Sequence, residues 1–178
     1  MDKQNFQRKG NKANAIIGSD FEAVVMKQFE PYVKNLQRPF KIPIGLTSKK
    51  QHAFDFGNDE ILVECKSHTW TESGIVPSGK LHNWNTAMYL FHLAPKKYKK
   101  FFCVEMSFDQ EKCETLLEYY IRNYGHLIPK DVILVDVYTN SGLYKVIYFY
   151  DEKQKGFVHN LGENNNKQLE DFLEIKKQ

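Results

Sequence analysis

Long apolar runs are missing from this sequence; none approaches the roughly 18 residues that a membrane span requires. The opening stretch, Met1 to Lys12, is polar and has no apolar segment of the kind a secretory signal carries. Cysteine is sparse. Cys65, Cys103 and Cys113 are an odd number with no C-x-x-C pair, which argues against a zinc site and suits a reducing cytoplasm. Two of them fall in apolar, strand-like runs, where cysteine acts as a small hydrophobe. Also lacking are a Gly-rich phosphate loop, a G-x-S-x-G elbow and an H-E-x-x-H helix, and the six histidines have no ligand spacing. The usual signatures of P-loop, serine-hydrolase and zincin chemistry are therefore absent.

What is present fits one globular domain. The 178 residues can bury a single sizeable core, and 42% hydrophobic with 26% charged residues is an ordinary globular balance. Net charge is only +3 with a pI near 8.6. Strong nucleic-acid binders are usually more basic, but a cluster of carboxylates lowers the sum, so distribution matters more than total. Residues 1–17, with Lys3, Arg8, Lys9 and Lys12, read as a flexible basic arm: either a plain mobile terminus or one that touches phosphates. With no repeat and no linker, residues 18–178 form one domain.

Periodicity and punctuation predict the following elements. A helix runs from Gly18 to about Leu36, capped by Ser19 or Asp20, with a kink or a second short helix at Pro31. Phe40–Ile44 is a strand candidate. His52–Phe56 and Ile61–Lys66 are strands joined by the turn Gly57-Asn58-Asp59-Glu60. After a polar loop, Ser78 caps a helix reaching about Leu93 and stopped by Pro95. Phe101–Ser107 is a buried strand, and Gln110–Gly125 a helix ended by glycine. Val132–Tyr138 and Tyr144–Tyr150 make a hairpin around Thr139-Asn140-Ser141-Gly142, and a last helix spans Asn166 to about Lys176. The order α-β-β-β-α-β, then α-β-β-α, implies an α/β layered fold with a mixed sheet.

One strand carries an anomaly. An acid followed two residues later by lysine occurs at Glu64/Lys66, Asp151/Lys153 and Glu174/Lys176, but only the first lies in an apolar strand, Ile61-Leu62-Val63-Glu64-Cys65-Lys66. Alternate strand residues share a face, so Leu62, Glu64 and Lys66 point one way and Ile61, Val63 and Cys65 the other. If Phe56 pairs with Ile61 across the turn, Asp55 lies opposite Leu62 and diagonal to Glu64 on the same face, close enough for two carboxylates to share one hard cation. A slip of one residue would break this arrangement. On a helical wheel from Phe21, Glu22 falls inside the apolar arc of Val24, Val25, Met26, Phe29, Tyr32, Val33 and Leu36, where a carboxylate is costly unless paired or metal-bound. Gln28 shares that arc, so the stripe is not clean. The competing reading of Glu64 and Lys66 is a solvated pair on an amphipathic strand.

These residues resemble the PD-(D/E)xK, or restriction endonuclease-like, nuclease superfamily. The resemblance covers about residues 18–107 and implies an αβββαβ core with a mixed central sheet flanked by helices. Glu22 matches the helix acid, Asp55 the Asp, and Glu64-Cys65-Lys66 the (D/E)-x-K element; Phe54 stands where the motif has its loosely kept proline. The Asn85-x-x-x-Tyr89 pair, on one face with His82 and His92, is similar to the Gln-x-x-x-Tyr element of RecB-like nucleases, or is a polar seam satisfied inside the core. The implied activity is Mg²⁺- or Mn²⁺-dependent hydrolysis of DNA, as an endonuclease of restriction, defence or repair type, with RNA left open as a substrate. Asp55 and Glu64 would hold the ion with the Cys65 carbonyl, Glu22 would hold a second ion or its water, and Lys66 would orient water and stabilise developing charge. Trp70 could stack on a base or simply pack its loop, and Lys80 near a helix start could meet a phosphate. Lys96-Lys97-Tyr98-Lys99-Lys100 could track a nucleic-acid backbone or be a solvated turn. Cutting both strands with one small domain would imply a two-fold homodimer. Two other readings stand beside the nuclease: a non-catalytic nucleic-acid-binding module with this fold, and a protein-interaction domain whose Glu64 and Lys66 form a surface pair.

Overall fold

The computed structural model describes residues 18–45, 50–71, 74–139, 144–160, 169 and 171–173. The basic arm over residues 1–17, the turn residues Asn140, Ser141 and Gly142, and most of the expected last helix lie outside them. Helix α1 covers residues 18–29. The strands are β1 (Phe40–Pro43), β2 (Gln51–Phe54), β3 (Phe56–Gly57), β4 (Ile61–Lys66), β5 (Lys99–Glu105), β6 (Phe108–Asp109), β7 (Glu114–Thr115), β8 (Val132–Tyr138), β9 (Tyr144–Asp151) and β10 (Gly156–Asn160). Helix α2 (Ser78–Leu93) joins β4 to β5, and α3 (Leu116–Tyr124), continued by a 3-10 turn at Gly125–Leu127, precedes β8.

A six-stranded mixed sheet runs in the order β10-β9-β8-β5-β4-β3, with β4, β5 and β8 parallel and the remaining pairs antiparallel. The three parallel strands are covered on both faces, which is why they read as nearly unbroken apolar runs. One face presents Leu62, Phe102, Val104 and Leu134 to the apolar sides of α2 and α3, chiefly Leu81, Trp84, Met88, Leu116 and Tyr120. The other presents Ile61, Val63, Cys65, Phe101, Cys103 and Val135 to α1, through Phe21, Val25 and Phe29, and to Leu169 and Leu173. The fold is thus α/β in three layers, and β4 sits near one edge with Glu64 and Lys66 at its C-terminal end. Among the described residues, no helix is long and apolar enough to cross a membrane.

Several expectations need correction. Helix α1 stops at residue 29, because Pro31 offers no amide and disfavours helical geometry at Glu30. Ser78 is the first residue of α2 and not its cap, which is Pro77. Helix α3 begins at Leu116, not Gln110: Thr115 and Glu118 form a reciprocal capping box, while the Asp109 side chain accepts the amides of Glu111 and Lys112 in the β6–β7 hairpin. The β5 strand starts at Lys99, two residues early, and β10 adds a strand the pattern did not announce. The lysine run disperses accordingly. Lys100 is buried against Asp131 at 2.6 Å, Lys99 donates to the Leu173 carbonyl at 2.8 Å, and Lys97 lies over the Tyr98 ring, so no continuous phosphate track exists there.

The register around Asp55 also differs. Phe56 pairs with Val63 and Gly57 with Leu62, two residues along from the expected pairing. The Asn58 side chain causes this by accepting the amides of Glu60 and Ile61, while the Asn58 amide donates to the Ile61 carbonyl, so the loop shrinks from residues 57–60 to Asp59 and Glu60 alone. A shift of two keeps the alternation of faces. Asp55 therefore falls across from Glu64 instead of diagonal to it. It is not inside a strand: the chain bends at Asp55, and β2 on its far side pairs with β1 in a separate two-stranded sheet.

Cys65 and Cys103 are register neighbours on β4 and β5, both buried, while Cys113 is exposed in the β6–β7 turn. Beneath α3 lies Asp136 of β8, fully buried with neither carboxyl oxygen in a full hydrogen bond. Burial pushes its pKa up to about 7, the Thr115 hydroxyl draws it back a little, and the Glu118 carboxylate adds to the rise. Because the folded value exceeds the unfolded one, this group's stabilising share is complete below about pH 4 and is lost as pH climbs through about 7. Asp136→Asn should therefore raise Tm at pH 8 by on the order of 5 °C and change it much less at pH 5; parallel thermal melts at the two pH values check this.

Candidate active site

Strand alternation places Glu64 and Lys66 on one face of β4, and their side chains pair at 2.6 Å between Lys66 Nζ and Glu64 Oε1. The pair is not a solvated surface pair: side-chain exposure is only 18% for Lys66 and 11% for Glu64. That removes the support for a protein-interaction domain built on it. The second oxygen of Glu64, Oε2, is buried with no hydrogen-bond partner. Across from Glu64, Asp55 turns its carboxylate onto the backbone and accepts the Cys65 amide on Oδ2 at 2.6 Å. The neighbouring apolar face of α1 seats Phe21 in the core and so brings Glu22, one residue further round, to the same cleft. There Glu22 accepts from Arg38 at 2.8 and 3.1 Å, and Arg38 also donates to Ser19.

Glu22, Glu64 and Lys66 line a cleft of about 410 Å³ together with His52, His68 and Asn83, among others, whereas Asp55 stands across from Glu64 and is not one of the lining residues. Electrostatics mark the acid end as short of positive charge. Burial pushes the Glu64 carboxyl up to about 7 despite Lys66, and the charges of Asp55 and Glu22 contribute to the rise. Glu22 is likewise raised, first by burial and then by Asp55, against the pull of Arg38. Burial alone would lower the Lys66 pKa, but Glu64 and Asp55 override it and leave the value raised, so Lys66 is a fixed cation near neutral pH. His52 is lowered by burial, and its Nε2 is buried without a partner.

Could these residues hold a metal? Among the described residues no three His, Cys, Asp or Glu side chains stand together as a ready ligand set, because each acid leans on its own partner. Yet the orphaned Glu64 oxygen and the mutual elevation of Glu64 and Glu22 are what a hard dication would relieve, and the donors are all oxygen, as Mg²⁺ prefers. The residues fit such an ion. Cys65 is one of the cleft-lining residues, and its thiol packs with Cys103 in the core of the opposite face.

Of the other expected site residues, the structure brings none into the cleft lining. Asn85 accepts from the Tyr120 hydroxyl at 2.9 Å and Tyr89 is exposed, so the face of α2 that meets the cleft is instead the one with Asn83, Thr86 and Leu90. Trp70 packs its loop against Tyr119 with Lys112 over its ring. Lys80 is exposed in the first turn of α2 and acts electrostatically on His68. The residues not foreseen are Arg38, His52, His68, Asn83 and Thr86. His68 had a legible signal, since it continues the 64, 66, 68 alternation; Arg38, which reaches Glu22 from sixteen residues away, had none. No family model, curated protein or solved structure matches the chain.

The Glu64–Lys66 pair sets a pH-dependent stability test. Removing the ammonium leaves Glu64 to be buried either as an unpaired charge or as an acid protonated against the pH. Lys66→Met should cost about 2–3 kcal/mol at pH 8, and roughly half that at pH 6, where Glu64 is already largely neutral; urea unfolding at both pH values reads the difference.

Proposed function

We propose that the chain is a metal-dependent nuclease of the PD-(D/E)xK kind, hydrolysing phosphodiester bonds of DNA with Mg²⁺ or Mn²⁺. The observation that carries this reading is the buried Glu64 carboxyl with one unpartnered oxygen, set beside the cationic Lys66 and facing Asp55 and Glu22. The chain order α1, antiparallel β3–β4, α2 and parallel β5 supports a restriction endonuclease-like core around it. Asp55, Glu64 and the Cys65 carbonyl would hold the ion, with Glu22 beside them once released from Arg38. A bound divalent ion supplies acidified water and charge neutralisation in phosphodiester hydrolysis.

The chain's own residues do the rest. Asp55, fixed by the Cys65 amide, orients one oxygen toward β4 and leaves the other free for a ligand. Lys66, protonated at neutral pH, cannot serve as a base; it holds the attacking water through an N–H and offsets negative charge that builds on the phosphoryl oxygens. Arg38 neutralises Glu22 until a cation replaces it. Three unpaired cysteines suit a reducing cytoplasm, and cutting both strands calls for a two-fold dimer.

A second reading, a non-catalytic nucleic-acid-binding module, draws on the internal partner that each acid already has. Two measurements separate them. Supercoiled plasmid incubated with wild-type protein and Mg²⁺ should be nicked or linearised, and Asp55→Ala and Lys66→Ala should each slow this by at least about a hundredfold; wild-type cleavage rates in both variants would end the nuclease reading. Mn²⁺ should raise Tm by several degrees through preferential binding to the folded state, and Asp55→Asn should remove that shift.

A further inference from the structure

The cleft wall opposite the acids is made by the residues following β4 and by α2. His68 lines it, two residues beyond Lys66 and of the same alternation. Trp84, fully buried at the middle of α2, donates its indole Nε1–H to His68 Nδ1 at 2.9 Å, and the two rings lie nearly parallel, 6.4 Å apart and inclined by 11°. An indole nitrogen is a donor only. Nδ1 must therefore be the acceptor, and the proton of the neutral imidazole sits on Nε2. Nε2–H makes no hydrogen bond to any described residue, although its ring is half-buried in the cleft.

The charge around His68 is opposite to that around Glu64. Burial, Lys80 and Lys66 hold its pKa down to about 4, so the ring is neutral across the physiological range and sits in a positive field. The cleft accordingly has two poles. Glu22 and Glu64, with Asp55 across from Glu64, form one that suits a cation; Lys66 and an oriented N–H form one that suits an anion, with Lys80 adding to the positive field from outside the lining. A phosphodiester beside a divalent ion needs both.

We propose that His68 is a substrate-binding residue whose Nε2–H donates to a non-bridging phosphoryl oxygen of the nucleic-acid backbone, in an orientation fixed by Trp84. This deepens the nuclease reading and rests on it. A neutral donor serves here because it adds no further charge to repel the ion, and its strength as a donor does not change with pH. Its geometry comes from the core, through a tryptophan that cannot rotate away.

Two substitutions separate the binding role from a packing role. In His68→Asn the amide overlays Nδ1, so the Trp84 partner is kept while nothing reaches the cleft. In His68→Gln the amide overlays Nε2, so the cleft donor is kept while Trp84 loses its acceptor. The readouts are the affinity for a fluorescein-labelled DNA duplex by anisotropy, with Ca²⁺ in place of Mg²⁺, and Tm. We expect His68→Asn to bind about tenfold more weakly at near wild-type Tm, and His68→Gln to bind within about threefold of wild type at a lower Tm. The reverse order, unchanged affinity in His68→Asn, or no duplex binding by the wild-type protein overturns the proposal. If either variant fails to fold, the ¹⁵N-coupled Nε2–H resonance of wild-type His68 decides: it should shift on adding duplex, and a stationary signal overturns the assignment. Plasmid cleavage by the same wild-type preparation with Mg²⁺ reports separately on the nuclease reading, since its absence removes that reading while the order of the two variants still judges the contact.

Discussion

The hydrogen bond from the Cys65 amide to the Asp55 carboxylate organises the cleft. Beside β4 the ladder ends with the Phe56–Val63 pair, because the chain bends at Asp55 and residues 51–54 leave to pair with β1. The next amide on that side, that of Cys65, would otherwise lack a strand partner, at a cost of roughly 1–3 kcal/mol if buried. A side chain stands in for the missing strand at 2.6 Å. In doing so it anchors a carboxylate across from Glu64, on a backbone that the parallel neighbour β5 holds rigid. The acid–lysine alternation on β4 then has a second acid within its field, which is the minimal condition for the chemistry proposed. Local backbone satisfaction and the site geometry are one constraint here.

The remaining electrostatics follow from burial on a crowded sheet. Glu64 and Asp136 both lie on the face covered by α2 and α3, and burial raises both to about 7. Their surroundings differ. Glu64 has a lysine two residues away and other acids beside it in an accessible cleft, whereas Asp136 lies sealed among Thr115, Glu118 and Tyr148. The same physical shift therefore describes a group poised to meet a cation in one case and a plain destabilising burden in the other. Perturbation alone does not mark function; access and neighbours do.

What the sequence made legible was set by periodicity. Alternation along Ile61–Lys66 is a property of any strand, so the shared face of Glu64 and Lys66 was readable, and Asp55 kept its side because the register error was two residues and not one. The mixed sheet and the parallel core strands were readable from their apolar runs. The span of helix α2 was readable as well, but its cleft-facing side was not, because residues apolar nearly all round give no preferred face; that side is Asn83 and Thr86 instead of Asn85 and Tyr89. Helix α3 starts late because Thr115-Leu116-Leu117-Glu118 spells a capping box inside a longer helical pattern, and the Asp109 side chain holds the residues before it in a hairpin turn. The Arg38–Glu22 contact depends on how the segment after α1 folds back, a tertiary fact with no local trace.

The placement of sulfur has a practical corollary. Cys65 and Cys103 sit side by side between two layers, with the Cys65 thiol driven well above its ordinary pKa by burial, whereas Cys113 stands in the open at a left-handed turn position. Reagents meet a thiol at only one of the three positions while the layers stay closed. The chain thus carries its own tally of intactness: one sulfur open to alkylation when the sheet is whole, three when it is not, with the two hidden ones on the sheet face opposite Glu64 and Lys66.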